Sequence, residues 1–421
     1  MLMAIALFEQ TRKLQQFLLH ASNLPEIQER VSAQIKSYMP ILEGYRGIAC
    51  LLVFLMHFYS DRFNQNQSLL GSIYNQILAI GWCGVDAFFV LSGFLITGIL
   101  LDNKDRANYF KNFYFRRILR IFPLYYFVLA IIFLLFNSLL SQDESYRQLE
   151  TVQSWYWLYL QNWEVTIHGY ASFHILSHFW SLAIEEQFYL VWPFIIYLFP
   201  KRFLGTIIAF FIAIPFLLRG TLLLQNLSPE SLNILYMNTF CRMDSLAMGA
   251  AIAFGLRSEY WQPLILRYSR LLLVLSSASL GVIFIVRGGL NSVDFLIQSF
   301  GYSLLAIFFA SLLVFSLSVE EHRVFPRLLS WFPLRYLGRI SYGFYVYHYV
   351  ALFLFRDSLT QYTLNLTHSY WLSEILIFLF FTIAIAAIAS LSWFILEKPI
   401  LKLKKYFPTH QNVTVLKTDP C

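Results

Sequence analysis

LEGYRGIACLLVFLMHF, residues 42–58, is an apolar segment of helical length that carries Arg46 near its start and His57 near its end. At 3.6 residues per turn, a spacing of eleven residues returns the two side chains to one helix face, roughly 16 Å apart along the axis. Because buried ionisable groups are expensive to desolvate, an Arg and a His in one apolar helix predict a functional site. The alternative is an Arg that extends to the membrane interface and a His bonded to a neighbouring helix.

The composition predicts a membrane protein. Of 421 residues, 58% are hydrophobic and only 13% are charged, whereas about 25% are charged in soluble globular proteins. The net charge of +7 does not indicate nucleic-acid binding here, because the basic residues lie between apolar runs, where they set membrane orientation. We therefore expect an all-α, polytopic protein in contact with membrane lipids. The cysteines lack metal-ligand spacing, so no metal site is expected.

Apolar runs predict about ten transmembrane helices, each long enough to cross a hydrocarbon core of about 30 Å. They lie at about 41–60, 79–101, 118–138, 182–199, 203–223, 233–256, 268–287, 294–317, 338–356 and 373–396. An even number places both termini on one side, and the excess of Lys and Arg on that side predicts that both are cytoplasmic. The expected organisation is an N-terminal amphipathic and cytoplasmic segment at 1–40, a membrane domain at 41–400 and a cytoplasmic tail at 401–421.

Ionisable residues on the predicted outer side suggest acid–base chemistry. They are His57, Asp86, Glu185 and Glu186. A carboxylate beside a His fixes the imidazole tautomer and stabilises the imidazolium, so this set predicts a general base. Asp86 or either glutamate could orient His57. One glutamate could instead cap the start of its helix, where exposed amides favour a carboxylate.

Arginines collect on the predicted cytoplasmic side. The candidates are Arg46, Arg116, Arg117, Arg120 and Arg339. Guanidinium groups bind phosphates bidentately, although a membrane anchor on the cytoplasmic side is the alternative. With a His further out, this arrangement would suit an extended anionic ligand that enters from the cytosol. Acyl-coenzyme A, with its phosphorylated head and long thioester arm, has that shape.

Seven segments occur in an order that is specific to one family. They are LEGYRGIACLLVFLMHF, GVDAFFVLSGFLIT, FRRILRIFPLYY, FWSLAIEEQFYLVWPF, RMDSLAMGA, LGRISYGFYVYH and EKP. From about residue 41 to 400 the chain resembles the acyltransferase family 3, integral-membrane O-acyltransferases that modify O-antigens, exopolysaccharides and other glycans. The resemblance implies transfer of an acyl group, usually acetyl, from cytosolic acyl-CoA to a hydroxyl of a glycan or lipid-linked sugar across a bacterial plasma membrane.

The resemblance also implies roles for individual residues. By position, the family's Arg-x10-His motif falls on Arg46 and His57, its Arg-rich motif on Arg116, Arg117 and Arg120, and its acidic motif on Glu185 and Glu186. His57 is then expected to deprotonate the acceptor hydroxyl, and a transient acyl-His intermediate is the less favoured variant. Some members append an extracytoplasmic SGNH-type domain. This chain has no segment of that size, so we expect a partner protein for polysaccharide modification, or a homo-oligomer.

Two other functions are compatible with ionisable residues in a membrane. A secondary transporter or flippase would use intramembrane Asp, Glu and His as a proton relay, but the sequence has no inverted-repeat signal. A scaffold for a polysaccharide synthesis complex would leave the buried ionisable residues without a role. The sequence therefore favours the O-acyltransferase.

Overall fold

The chain folds into helices. The computed structural model describes residues 24–35, 40–59, 76–135, 144–168, 175–225, 235–319 and 323–409, and within these ranges no strand occurs. In chain order, the α-helices used below are α1 (Leu24–Ile35), α2 (Pro40–Tyr59), α3 (Gly84–Asn103), α4 (Tyr109–Ala130), α5 (Glu144–Thr151), α6 (Gln153–Trp157), α7 (Gln161–His168), α8 (Trp180–Leu198), α9 (Lys201–Leu223), α10 (Thr239–Gly255), α11 (Trp261–Arg287), α12 (Tyr302–Ser318), α13 (Val324–Leu329), α14 (Phe332–Thr367), α15 (Tyr370–Ser392) and α16 (Lys398–Leu401). Most of the predicted N-terminal segment and of the predicted tail lie outside the described residues.

Seven helices in the described part of the chain are long and apolar enough to cross a membrane. They are Pro40–Tyr59, Gln76–Asn103, Tyr109–Leu135, Lys201–Leu223, Trp261–Arg287, Ile297–Ser318 and Tyr370–Tyr406. The predicted number of ten is therefore not confirmed. The other three predicted spans fall on α8, α10 and α14. These segments are helical but carry polar residues. Helix α10 also has only 17 residues, whereas a membrane span needs about 20.

Helices α2 and α14 run parallel in close contact. A Cβ on Gly47 would collide with the carbonyl oxygen of Leu334, and a Cβ on Gly338 with that of Glu43. Small residues at these positions let the two backbones touch, as in other membrane helix pairs. Further along, the Phe54 and Phe344 rings meet edge to face with centres 5.3 Å apart. The contact therefore continues toward the C-terminal end of α2, where the predicted base lies.

Helices α3 and α10 form a second close pair. A Cβ on Gly93 would collide with the carbonyl oxygen of Leu246, and a Cβ on Gly249 with that of Val90. The sequence predicts such a contact from the small residues Ser92 and Gly93, and the structure confirms it for Gly93. The α3–α10 contact brings the buried carboxylate of Asp86 on α3 within hydrogen-bond distance of Arg242 on α10.

Candidate functional site

An internal cavity lies where α2, α3, α4, α8 and α14 meet. Its volume is about 140 Å³. Its ionisable and hydroxyl-bearing lining residues are Arg46, Ser92, Arg117, Arg120, Ser181, Glu185, Glu186, Tyr189, Ser341, Tyr342 and Tyr345. The structure thus brings three predicted arginines and both predicted glutamates into one cavity.

The two glutamates lie in the second turn of α8. Helix α8 begins at Trp180, has no acidic residue in its first turn and has no side-chain cap, so Glu185 and Glu186 do not cap it. Ser92 Oγ donates to Glu185 Oε1 over 2.7 Å, and Tyr189 Oη donates to Glu185 Oε2 over 3.1 Å. The sequence predicts these glutamates at the depth of His57, but they line the arginine cavity instead.

The predicted arginine cluster divides into two groups. Arg117 and Arg120 line the cavity. Arg116 Nη1 instead donates to the backbone carbonyl oxygens of Lys404, over 3.3 Å, and Phe407, over 3.0 Å. These bonds tie the C-terminal segment to α4.

Arg339 lies away from this cavity. Its Nη2 is 3.5 Å from the Glu43 carboxylate, and its side chain is 45% exposed. The same carboxylate lies 3.5 Å from Arg335 Nε. Because Glu43 already balances Arg339, this residue is a weaker candidate for ligand binding than the cavity arginines.

The cavity arginines are only loosely balanced by acids. Arg117 Nε is buried and has no hydrogen-bond partner within the described ranges. Arg120 Nη1 is 3.8 Å from Glu397 Oε2, and the Arg120 guanidinium lies 5.3 Å from the Trp393 ring centre. A buried guanidinium nitrogen without an acceptor is costly. The inner part of the cavity is therefore suited to an anionic group that would accept hydrogen bonds from these side chains.

Three histidines cluster beyond the other end of the cavity. His57 lies on α2, His178 precedes α8 and His348 lies on α14. The ring centres are 5.0 Å apart for His57 and His348, 5.1 Å for His178 and His348, and 6.4 Å for His57 and His178. We refer to these residues as the histidine cluster.

Hydrogen bonds fix which imidazole nitrogens are protonated in the neutral rings. His57 Nδ1 is 3.0 Å from the carbonyl oxygen of Val53, and His348 Nδ1 is 2.6 Å from that of Tyr345. A carbonyl oxygen only accepts, so both Nδ1 atoms carry the proton. His348 Nε2 is then an acceptor, and it lies 3.1 Å from His57 Nδ1. The contacts of His57 Nδ1 with Val53 and with His348 both require a proton on Nδ1, so the lone pair of the His57 ring is on Nε2.

Tyr345 joins the cavity to the histidine cluster. It lines the cavity, and its ring centre is 5.4 Å from that of His178 and 5.5 Å from that of His348. Its Oη is 2.6 Å from Ser181 Oγ and donates over 2.8 Å to the carbonyl oxygen of His178. A ligand that fills the cavity therefore ends next to the imidazoles.

Asp86 is bonded to α10. Arg242 Nη2 donates a hydrogen bond to Asp86 Oδ1 over 2.9 Å, and Ser245 Oγ donates to the same oxygen over 2.8 Å. Beside it, Arg219 Nη2 donates to Asp244 Oδ2 over 2.9 Å. We call Asp86, Arg219, Arg242 and Asp244 the paired network; all four are buried. Within the described part of the chain, the hydrogen bonds of Asp86 go to α10 and none goes to His57.

Comparison with known proteins agrees with this geometry. The family model Acyl_transf_3, described as an acyltransferase domain, matches residues 39–394. The chain belongs to this family. No solved structure matches it.

Two relatives of this acyltransferase chain are O-acetyltransferases by name. The peptidoglycan O-acetyltransferase OatA of Listeria monocytogenes is 28% identical over 89% of this chain and 57% of its own length. The O-acetyltransferase OatA of Staphylococcus aureus is 27% identical over 74% of this chain and 50% of its own length. The chain therefore spans little more than half the length of these relatives.

Sequence reasoning missed several residues of this candidate site. The sequence-based predictions do not include His178, Ser181, Tyr345 or His348 as site residues. A signal was present, because a His in an apolar segment is unusual and HFWSL places His178 just before α8. Among the described residues, no group of three His, Cys, Asp or Glu side chains could hold a metal ion.

Proposed function

We propose that this chain is an O-acyltransferase that moves an acyl group, with acetyl as the first choice, from cytosolic acyl-CoA to a hydroxyl of a glycan or lipid-linked sugar on the outer side of the membrane. The observation that carries the proposal is one cavity that has loosely balanced arginines in its lining and reaches the histidine cluster through Tyr345. Membership of an acyltransferase family supports it. Peptidoglycan is the acceptor named for one relative, and it is our first choice of acceptor here.

In this proposal the arginines bind the donor. Arg46, Arg117 and Arg120 hold the phosphates and the nearby part of the thioester arm, because guanidinium groups form strong bidentate bonds to phosphate oxygens. The long arm then follows the cavity toward Tyr345. Glu185 and Glu186 limit the net charge of the cavity, so that it binds the donor without holding the product too tightly.

His57 acts as the general base. Its Nε2 lone pair takes the proton of the acceptor hydroxyl while the hydroxyl oxygen attacks the thioester carbonyl carbon. The carbon–sulfur bond then breaks, and the imidazolium returns the proton to the leaving thiolate. His348 keeps Nδ1 of His57 protonated, so the lone pair that acts as the base is on Nε2. A direct transfer is favoured over an acyl-His intermediate, because the same nitrogen serves both proton steps.

The proposal includes a membrane arrangement. Both termini lie in the cytoplasm, residues 41–400 form the acyltransferase domain, and 1–40 and 401–421 are cytoplasmic or surface segments. α8, α10 and α14 complete ten spans, since polar residues on them face the cavity or the paired network and not lipid. A partner protein or a second copy of the chain would assist transfer to the glycan.

The first test measures acetyl-CoA binding and turnover by the purified protein, with soluble peptidoglycan glycan strands as acceptor. We expect the wild type to bind acetyl-CoA and acetylate the glycan. Arg117→Ala with Arg120→Ala should lose binding, while His57→Ala should bind acetyl-CoA but not turn it over. A wild type that neither binds nor consumes acetyl-CoA would refute the donor assignment.

A further inference from the structure

His178 presents an unused hydrogen-bond acceptor inside the histidine cluster. The side chain is 2% exposed, and its Nε2 lies 3.2 Å from the carbonyl oxygen of Val346. That carbonyl only accepts, so in the neutral ring Nε2 carries the proton and Nδ1 the lone pair. His178 Nδ1 is buried and, in the part of the chain that the structure describes, has no hydrogen-bond partner. An acceptor left in this state costs about 1–3 kcal/mol.

The ring of His178 is held firmly in place. Its Nε2 is anchored on α14 through Val346, and its backbone carbonyl accepts hydrogen bonds from Tyr345 Oη and Ser181 Oγ. Aromatic contacts with Phe179 and Tyr349, at 4.7 and 5.3 Å between ring centres, enclose it. A fixed ring does not lose further freedom when a ligand binds, which favours binding.

The position of His178 indicates what kind of ligand would satisfy Nδ1. The ring centre lies 6.4 Å from that of His57, so the two imidazoles can face two neighbouring groups of one small molecule. Nδ1 needs a hydrogen-bond donor, and sugars carry neighbouring hydroxyls that donate. The thioester group itself carries no hydrogen-bond donor, and the nearest donor on the acyl-CoA arm is an amide N–H two carbons from the sulfur, whereas a sugar carries a donor on the carbon next to the reacting hydroxyl.

We propose that His178 Nδ1 accepts a hydrogen bond from a second hydroxyl of the sugar acceptor, next to the hydroxyl that His57 deprotonates. This inference rests on the proposed function and adds the residue that orients the acceptor. His178 takes no proton in the reaction. It fixes the rotation of the sugar ring, and it thereby selects which hydroxyl is acylated.

Two substitutions separate the two nitrogens of His178. In His178→Gln the amide nitrogen can replace Nε2 and keep the bond to Val346, but no acceptor remains at the position of Nδ1. In His178→Asn the amide oxygen can replace Nδ1 as acceptor, but the bond to Val346 is lost. The assay measures KM for the glycan strands and, separately, acetyl-CoA hydrolysis without glycan. His168→Gln, on an exposed histidine, is the matched control.

We expect His178→Gln to raise KM for the glycan about tenfold, the effect of one lost hydrogen bond of about 1.4 kcal/mol, and to change acetyl-CoA hydrolysis by a smaller factor. His178→Asn should stay within about threefold of the wild type. The reverse order would show that His178 serves only as an anchor on α14 and would overturn the proposal. Equal loss in both variants, including hydrolysis, or no loss in either, would overturn it too.

A measurement on the wild type avoids any dependence on folding of the variants. Short synthetic glycan fragments that each lack one hydroxyl are compared as acceptors. The proposal expects one deoxy fragment that keeps the acylated hydroxyl to show a KM about tenfold higher. If every such fragment matches the parent, His178 has no sugar hydroxyl to bind. A wild type that fails to acylate the parent fragment would contradict the proposed function itself, which distinguishes the two failures.

Discussion

Two groups of buried charge lie side by side in this protein, and their guanidinium groups face different surroundings. In the paired network, Arg242 and Arg219 each meet an aspartate oxygen at 2.9 Å. The remaining surface of the Arg242 guanidinium faces the Tyr302 ring, 4.0 Å from its Cζ to the ring centre. In the cavity, by contrast, Arg120 Nη1 is 3.8 Å from Glu397 Oε2, and open space adjoins the arginines.

The difference shows how buried charge can serve either structure or binding. In the paired network the protein balances the charge of each guanidinium with a carboxylate at hydrogen-bond distance and, for Arg242, with aromatic faces, although Arg242 Nε and Nη1 have no hydrogen-bond partner among the described residues. A cation that lines a cavity still has hydrogen bonds to offer. The paired network should therefore respond to substitution through stability, and the cavity with its histidine cluster through binding and turnover.

The largest effect is expected on the cavity side, from His57→Ala. Loss of the general base should lower acyl transfer by about 10²- to 10⁴-fold, with acetyl-CoA affinity unchanged. The rate of acyl transfer is measured as transfer of labelled acetyl to glycan strands, and the affinity for acetyl-CoA is measured by equilibrium binding. His168→Ala is the control. Full activity of a folded His57→Ala protein would remove His57 from the mechanism.

On the network side, Arg242→Met should act on stability. It leaves the Asp86 carboxylate buried without its cation, which is expected to cost about 3–5 kcal/mol of folding free energy. Thermal melting in detergent measures the loss. The double variant Asp86→Leu with Arg242→Met should recover most of it, because no buried charge remains. A stable Arg242→Met protein that fails to bind acetyl-CoA would instead place the network within the binding site.

An intermediate effect is expected for Arg117→Ala. Removal of one charge-assisted hydrogen bond to phosphate, about 1.5–3 kcal/mol, should weaken acetyl-CoA binding by about 10- to 100-fold. The melting temperature should stay the same or rise, because an unpaired buried nitrogen is removed. Isothermal titration checks the affinity. Unchanged affinity would mean that the cavity arginines do not contact the donor.

The smallest effect is expected for Arg339→Ala. Since this guanidinium is half exposed and already faces Glu43, its loss should change stability by less than about 1 kcal/mol and leave acetyl-CoA binding unaffected. The same titration and melting experiments apply. A loss of affinity like that of Arg117→Ala would return Arg339 to the donor site, as the sequence predicts.

Local features of the site were accessible from sequence, and long-range partners were not. The apolar run at 42–58 predicts a helix, and α2 spans Pro40–Tyr59. Hydropathy, however, says nothing about the partner of Asp86, because Arg242 is 156 residues away in sequence. The arginines of α4 look equivalent in sequence, yet Arg116 turns to the C-terminal segment and Arg117 to the cavity. Which way a side chain points depends on the neighbouring helix, and this neighbour is set only by tertiary packing.

The predicted number of spans is not confirmed, for a related reason. Runs at 182–199, 233–256 and 338–356 are apolar on average, but they include ionisable residues such as Glu185 and Arg242. In the folded protein these residues face partners or the cavity, so average hydropathy combines two environments. Helix type was therefore predictable, and seven of the predicted runs coincide with helices that could cross a membrane, whereas the placement of the other three is not confirmed.

The glycine contacts between α2 and α14 have a consequence for how accurately the imidazoles are positioned. His57 lies ten residues after Gly47, and His348 ten residues after Gly338, so each histidine lies roughly 15 Å along its own helix from the shared contact. The glycine contacts fix the position of α2 along α14. A shift of one helix along the other at the glycines would move His57 relative to His348 by the same amount and would change their 3.1 Å contact. Gly47 and Gly338 thus help to fix the distance between His57 and His348, although they lie nearly three helical turns away from these histidines.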